Sequence, residues 1–346
     1  MKRSPRWFHV LGMVALLSGM GLAGLGWLYA WRPLSVQVLP MDLEIERGTV
    51  GSALAKSLQA QGVDLPAWAL AAALRLRGDA VRIKAGLYDF QQAPTLKLLL
   101  DRLTRGEASQ REFALIEGWT FRQVREALAR QPDLKQETAP MSDREILQAI
   151  GAPQEHPEGL FAPDTYAWVK GSTDLEVLRR AYVLQQKRLE RAWAQRQQPP
   201  QGPALESPYQ ALILASIVEK ETGRAQDRGK VAAVFANRLR IGMRLQSDPT
   251  TIYGLGSAFD GNLRKRDLQS DTPWNTYTRP GLPPTPIAMP GQAALRATLA
   301  PESISALYFV ARGDGSSEFS DDLEAHNRAV ARFQKRRATG ASPASP

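Results

Sequence analysis

In this 346-residue chain the segment Ala215-Ser216-Ile217-Val218-Glu219-Lys220-Glu221-Thr222 places two carboxylic acids at the end of an apolar run. Ser207-Pro208 reads as a helix start, a hydroxyl cap followed by proline in the first turn, and Gly223 closes the helix after Tyr209 to Thr222. Leu212, Ile213, Leu214, Ile217 and Val218 make it apolar nearly all round, which predicts burial. A carboxyl at the end of such a helix is partly desolvated, so its pKa rises and it can stay protonated near neutral pH as a general acid. Two positions apart, Glu219 and Glu221 point about 200° from each other, so one is expected to be catalytic and the other structural. Glu219 follows the small residues Ala215 and Ser216, which leave space for a ligand, and is the preferred acid. Taken alone, the triplet also fits surface charges paired with Lys220 and Arg224.

Downstream, Asp227 is expected to cap a helix through Val231, Val234, Phe235 and Leu239 to Gly242. Loops follow that carry Gln246, Trp274-Asn275-Thr276-Tyr277 and Gly281-Leu282-Pro283-Pro284. Amide and aromatic side chains on loops fixed by Gly and Pro suit a sugar polymer, whose hydroxyls need directional partners and whose ring faces stack on aromatics. Gln246, Asn275 and Tyr277 are candidates to hold acetamido and hydroxyl groups, and Ser216 and Glu221 complete the expected substrate-binding set. Zero cysteines exclude thiol catalysis and Cys-ligated metals, and His9, His156 and His326 are too scattered for a zinc centre. No metal and no cofactor is expected.

The elements that must position these residues are of mixed type. A strand over Val36 to Ile45 leads through Gly48-Thr49 to a helix with Ala53, Leu54, Leu58 and Val63; helices over 65–76 and 94–103 flank a strand over 82–90. The same cadence returns in Phe113 to Gly118, then Thr120 and a helix with Phe121, Val124 and Leu128 on one side, a weak internal repeat of α+β units. Further helices are expected over 143–150 and 175–193, a linker over 194–207 and a strand over 307–310.

Beyond Glu219-Lys220-Glu221, the segments Val234-Phe235-Ala236-Asn237-Arg238-Leu239, Met243-Arg244-Leu245-Gln246-Ser247-Asp248-Pro249-Thr250, Tyr253-Gly254, Tyr277-Thr278, Gly281-Leu282-Pro283-Pro284 and Leu307-Tyr308-Phe309-Val310 resemble the endolytic murein transglycosylase family of YceG-like proteins. Upstream, Glu158-Gly159 and Pro163-Asp164-Thr165 are similar to that family's segments. The resemblance implies a LysM-like α+β domain over 36–130, then a mixed α/β catalytic domain of YceG type over 131–337, built around the buried helix. It also implies that Glu219 is the catalytic glutamate. The implied reaction is non-hydrolytic cleavage of the β-1,4 bond between N-acetylmuramic acid and N-acetylglucosamine within glycan strands, leaving 1,6-anhydro ends. Peptidoglycan strands are then the substrate, and cell-wall synthases of the elongation machinery are candidate partners.

From Trp7 to Trp31 there is no Lys, Arg, Asp or Glu, and as a helix these residues would span roughly 37 Å, enough to cross a bilayer. Lys2, Arg3 and Arg6 precede the run, so the expectation is a cytoplasmic N-terminus over 1–6, an uncleaved inner-membrane anchor over 7–31 and a periplasmic body; a cleaved signal peptide is the lesser alternative. The tail 338–346 reads as disordered. The net charge of +9 suggests an anionic partner. Nucleic acid is set aside, because the basic body would lie on the wrong side of the membrane. A membrane-anchored peptidoglycan-binding scaffold without catalysis is the remaining rival.

Overall fold

Strict alternation of apolar and acidic residues in Met41-Asp42-Leu43-Glu44-Ile45 makes a strand with one wet face. In the computed structural model the three apolar residues are buried and the two acids exposed. The structure describes residues 13–338 apart from 14–16, 19, 22, 23, 25, 47, 79–81, 108–110, 170 and 199–202, with side chains as far as Phe333. The chain divides into two units, residues 1–111 with 167–171, and residues 112–166 with 172–346.

In the first unit, β1 (Ser35–Val36) is followed by β2 (Met41–Ile45), α1 (Gly51–Ala60), β3 (Val63–Asp64), α2 (Ala67–Arg77), β4 (Gly86–Phe90) and α3 (Leu96–Arg105). β2 pairs antiparallel with β4, Leu43 opposite Tyr88, and β1 pairs with β3. Leu96, Leu99, Leu100 and Leu103 recur at helical spacing along α3 and are all buried, and the Thr95 side chain caps the helix by accepting from Leu98 N–H. They join Leu43, Ile45, Leu54, Leu58 and Tyr88 in one core.

The second unit holds most of β5 (Arg111–Leu115) and β6 (Asp164–Trp168), which pair, and α4 (Phe121–Ala129), α5 (Asp143–Ile150) and α6 (Asp174–Ala194). Then come α7 (Pro208–Glu221), α8 (Ala225–Arg240), α9 (Asp248–Leu255), α10 (Lys265–Gln269), α11 (Gln292–Leu299), the antiparallel pair β7 (Tyr308–Ala311) and β8 (Ser317–Ser320), and α12 (Leu323–Ala338). α7 starts as its sequence demands, Ser207 Oγ accepting from Gln210 N–H ahead of Pro208. Every residue from Ala211 to Val218 is buried. Burying each large aliphatic among them is worth ~1.5–3 kcal/mol, so the helix is held by its whole circumference. α6, α8, α9 and α11 supply the surroundings.

Val63 falls in β3 and not in the preceding helix, the strand expected over 36–45 is divided into β1 and β2, and two further expectations change. Asp227 does not cap α8; Arg224 stands at the cap, and Asp227, buried inside the first turn, accepts from Ser317 N–H at 2.9 Å and so ties α8 to β8. The second change concerns the fold class, which is α+β without the expected N-terminal transmembrane helix: among the described residues no helix is long and apolar enough to cross a membrane. Gly26 to Trp31 are helical. Tyr29 in that stretch packs on the core of the first unit and accepts a hydrogen bond from Arg77 Nη1 at 2.8 Å. Most of 1–31, and the tail after Ala338, lie outside the described residues.

Candidate active site

Glu219 is where α7 leaves the core, half-buried after eight buried residues. Its Oε2 accepts from Gly291 N–H at 2.9 Å, at the N-terminus of α11. The loop from Glu117 to Trp119 lies alongside. Gly118 N–H donates to Met289 O at 2.8 Å, Met289 N–H donates to Trp119 O at 2.7 Å, and Lys220 Nζ donates to Gly118 O at 3.2 Å. This pairing brings Glu117 against Gly291 so closely that a Cβ at position 291 would overlap the Glu117 carboxylate.

Burial raises the Glu219 pKa above the ordinary glutamate value, the Gly291 N–H draws it down, Glu117 raises it again, and Arg228 and Lys220 lower it. Opposed influences of this kind suit a group that must both give and take a proton.

Glu221 faces elsewhere, as its position two residues on requires. It accepts from Ser247 Oγ, and burial pushes its pKa up to about 7, against the Ser247 hydrogen bond and with a contribution from Asp248. Tyr277 OH donates to Asp248 Oδ1 at 2.6 Å, and burial together with Asp248 raises the phenol's pKa. Glu221, Ser247, Asp248 and Tyr277 thus form a second polar cluster. Beside it Gln246 is exposed, with φ at +48°, a left-handed conformation that a side-chain-bearing residue adopts only where surrounding bonds hold it; its N–H donates to Thr276 O at 3.2 Å.

Two of the residues expected to bind substrate have their polar atoms occupied. Asn275 is fully buried, its Nδ2 donating to Leu268 O and Ser270 O and its Oδ1 accepting from Thr251 Oγ1 and Tyr277 N–H. Ser216 is fully buried as well, its Oγ donating to Ile213 O at 2.7 Å and accepting from Ile287 N–H at 3.0 Å. Both brace the loops: Asn275 organises 268–277, and Ser216 fixes the segment that leads to Gly291.

The segment Glu158-Gly159 meets that same loop. Gly159 has φ at +79°, and a Cβ there would stand 2.6 Å from Pro286 Cβ, so the approach needs glycine. Segments that are far apart in sequence therefore surround one helix end. A model of the YceG-like family matches residues 43–332. The chain belongs to the YceG-like family. A Bacillus subtilis (strain 168) relative named endolytic murein transglycosylase is 29% identical over 310 residues, covering 85% of this chain and 84% of that one. A Streptococcus pneumoniae (strain D39) protein of the same name is 27% identical over 286 residues, 72% of this chain and only half of its own length. The crystal structure of a YceG-like protein from Listeria monocytogenes superposes with a TM-score of 0.52 at 28% identity, over 85% of this chain and 99% of that one.

Within this YceG-like chain two carboxyls near the site are not singled out by residue type or spacing, although Glu158 lies in a segment similar to the family's. Glu117 reads as part of a strand and turn. Glu158 reads as part of a Gly-containing segment, yet it is 3% exposed, accepting from Phe121 N–H at 2.9 Å and from Tyr253 OH at 3.0 Å. Burial pushes its pKa up to about 7, against those two hydrogen bonds.

Proposed function

We propose that the protein is a murein lytic transglycosylase that cleaves the β-1,4 bond between N-acetylmuramic acid and N-acetylglucosamine inside glycan strands and leaves 1,6-anhydro ends, releasing growing strands. The observation that carries this reading is Glu219, lifted out of a buried helix, with one oxygen held by Gly291 N–H and its proton favoured by burial. An ordinary glycosidase uses two carboxyls flanking the bond. In the lytic reaction the substrate's own C6 hydroxyl supplies the nucleophile. Protonated Glu219 gives its proton to the glycosidic oxygen as the bond to C1 breaks; the resulting carboxylate then takes the proton of the C6 hydroxyl as O6 closes on C1. No water is consumed, and Glu219 ends as it began.

The names of the Bacillus and Streptococcus relatives support this reading. Gln246 and Tyr277 remain the candidates for substrate contact. We assign Ser216 and Asn275 a bracing role and Glu221 a supporting one. The test is incubation of the purified chain with murein, with mass analysis of released fragments. Glu219→Gln keeps size and hydrogen-bonding capacity but cannot deliver the proton, so release of anhydro-ended fragments should fall at least ~10²-fold with the fold intact. If Glu219→Gln stays active while Glu221→Gln is inert, the wrong carboxyl has been assigned. Fragments ending in reducing sugars would mean hydrolysis instead.

A further inference from the structure

The carboxylate of Glu117 is exposed, yet it is pressed against Gly291, the residue whose N–H holds Glu219. Among the described residues no ion pair neutralises it. The loop that carries it is fastened on both sides, through Gly118 and Trp119 to Met289 and through Lys220 to Gly118 O. An anion fixed there opposes a second negative charge on Glu219. The other charged or dipolar groups around Glu219 act the opposite way: Lys220 on its own helix, Arg228 on α8, and the N-terminus of α11 at Gly291 all favour the ionised form. Without Glu117 the balance tips toward a carboxylate that has no proton to give.

We propose that Glu117 is a positioning residue of this site, an anion held against Gly291 that keeps Glu219 loaded with the proton it delivers. This rests on the transglycosylase reading above and adds a second functional carboxyl to it. The absence of a side chain at 291 is part of the device. φ there is −75°, so alanine causes no backbone strain, and the three atoms nearest the methyl group all belong to the flexible, exposed Glu117 side chain. Gly291→Ala should therefore fold normally, keep the N–H that holds Glu219, and push the Glu117 carboxylate aside.

The experiment is the pH profile of kcat/KM for anhydro-end release by the unaltered chain, Glu117→Gln, Glu117→Asp and Gly291→Ala, with thermal unfolding of each. The alkaline limb marks loss of the proton from Glu219 in the free enzyme. Removing the neighbouring anion lets Glu219 ionise more readily, so in Glu117→Gln that limb should move to lower pH by about half a unit to one unit. Gly291→Ala should move it the same way, and Glu117→Asp should recover most of the shift. Unfolding temperatures should stay together. A limb that does not move in Glu117→Gln overturns the proposal, and so does a change confined to KM, which would make Glu117 a substrate contact. Should the unaltered chain release no anhydro ends, the transglycosylase reading fails first and this proposal falls with it.

Discussion

Glu158 is a buried carboxyl whose consequence is a stability that depends on pH. Below the ordinary glutamate value of 4.5 it is protonated whether the chain is folded or not; between 4.5 and about 7 only the folded chain keeps the proton; above about 7 the folded chain must carry a buried charge. Its stabilising contribution is therefore complete below 4.5 and lost as the pH rises through about 7, at most about 3 kcal/mol for this one group. Thermal unfolding at pH 5 and pH 8 should show the unaltered chain losing stability across that interval, with a flatter dependence in Glu158→Gln. An equal slope in the two proteins would remove Glu158 as the cause. Glu221 titrates in the same window, so the slope should be reduced in the variant and not abolished. The Ser216 hydroxyl accepts from the buried Ile287 N–H. Ser216→Ala leaves that donor unsatisfied and should cost ~1–3 kcal/mol in denaturant unfolding, with weaker turnover because the segment leading to Gly291 loses its tie to α7.

Among the elements, α4 is tied to the site at its start. Thr120 and Gln123 form a capping box, and the next N–H, that of Phe121, is taken by Glu158. Thr120→Ala should lower stability by about 1 kcal/mol, measured as a shift in the denaturant midpoint with unchanged slope. The cost should not grow at high pH, since the lost bond involves no ionisable group; growth with pH would show that the cap and Glu158 act as one unit. The β2–β4 pair and α3 of the first unit need no such support, because alternation and helical spacing alone put their leucines inside.

For the whole molecule, we propose that the first unit is a LysM-like module that holds glycan, and the prediction belongs to the chain as a unit. A chain lacking residues 36–105 should sediment less well with purified sacculi, while circular dichroism shows the remaining helices intact. Equal sedimentation would leave the first unit without a binding role. The net charge of +9 adds a salt-sensitive attraction to any anionic wall polymer, so binding should be compared at matched ionic strength. The sequence by itself determined what is local: strand character within 36–45, which the structure divides into Ser35–Val36 and Met41–Ile45, α6 from its amphipathic pattern, α7 from its Ser207-Pro208 start and apolar run, and a partly desolvated Glu219 at the end of that run. It also fixed that Glu219 and Glu221 face different surroundings, because a helix turns by a constant angle per residue. Tyr29, within the charge-free run, is engaged by the first unit, and among the described residues no helix is long and apolar enough to cross a membrane. Only the tertiary structure decided that Glu117 stands against Gly291, whose N–H holds Glu219, that buried Glu158 accepts from Tyr253 OH, and that Asn275 and Ser216 spend their polar atoms inside the protein. Most of those contacts join residues tens of positions apart, where periodicity carries no information, and burial, which sets the carboxyl pKa values, exists only once the segments have met.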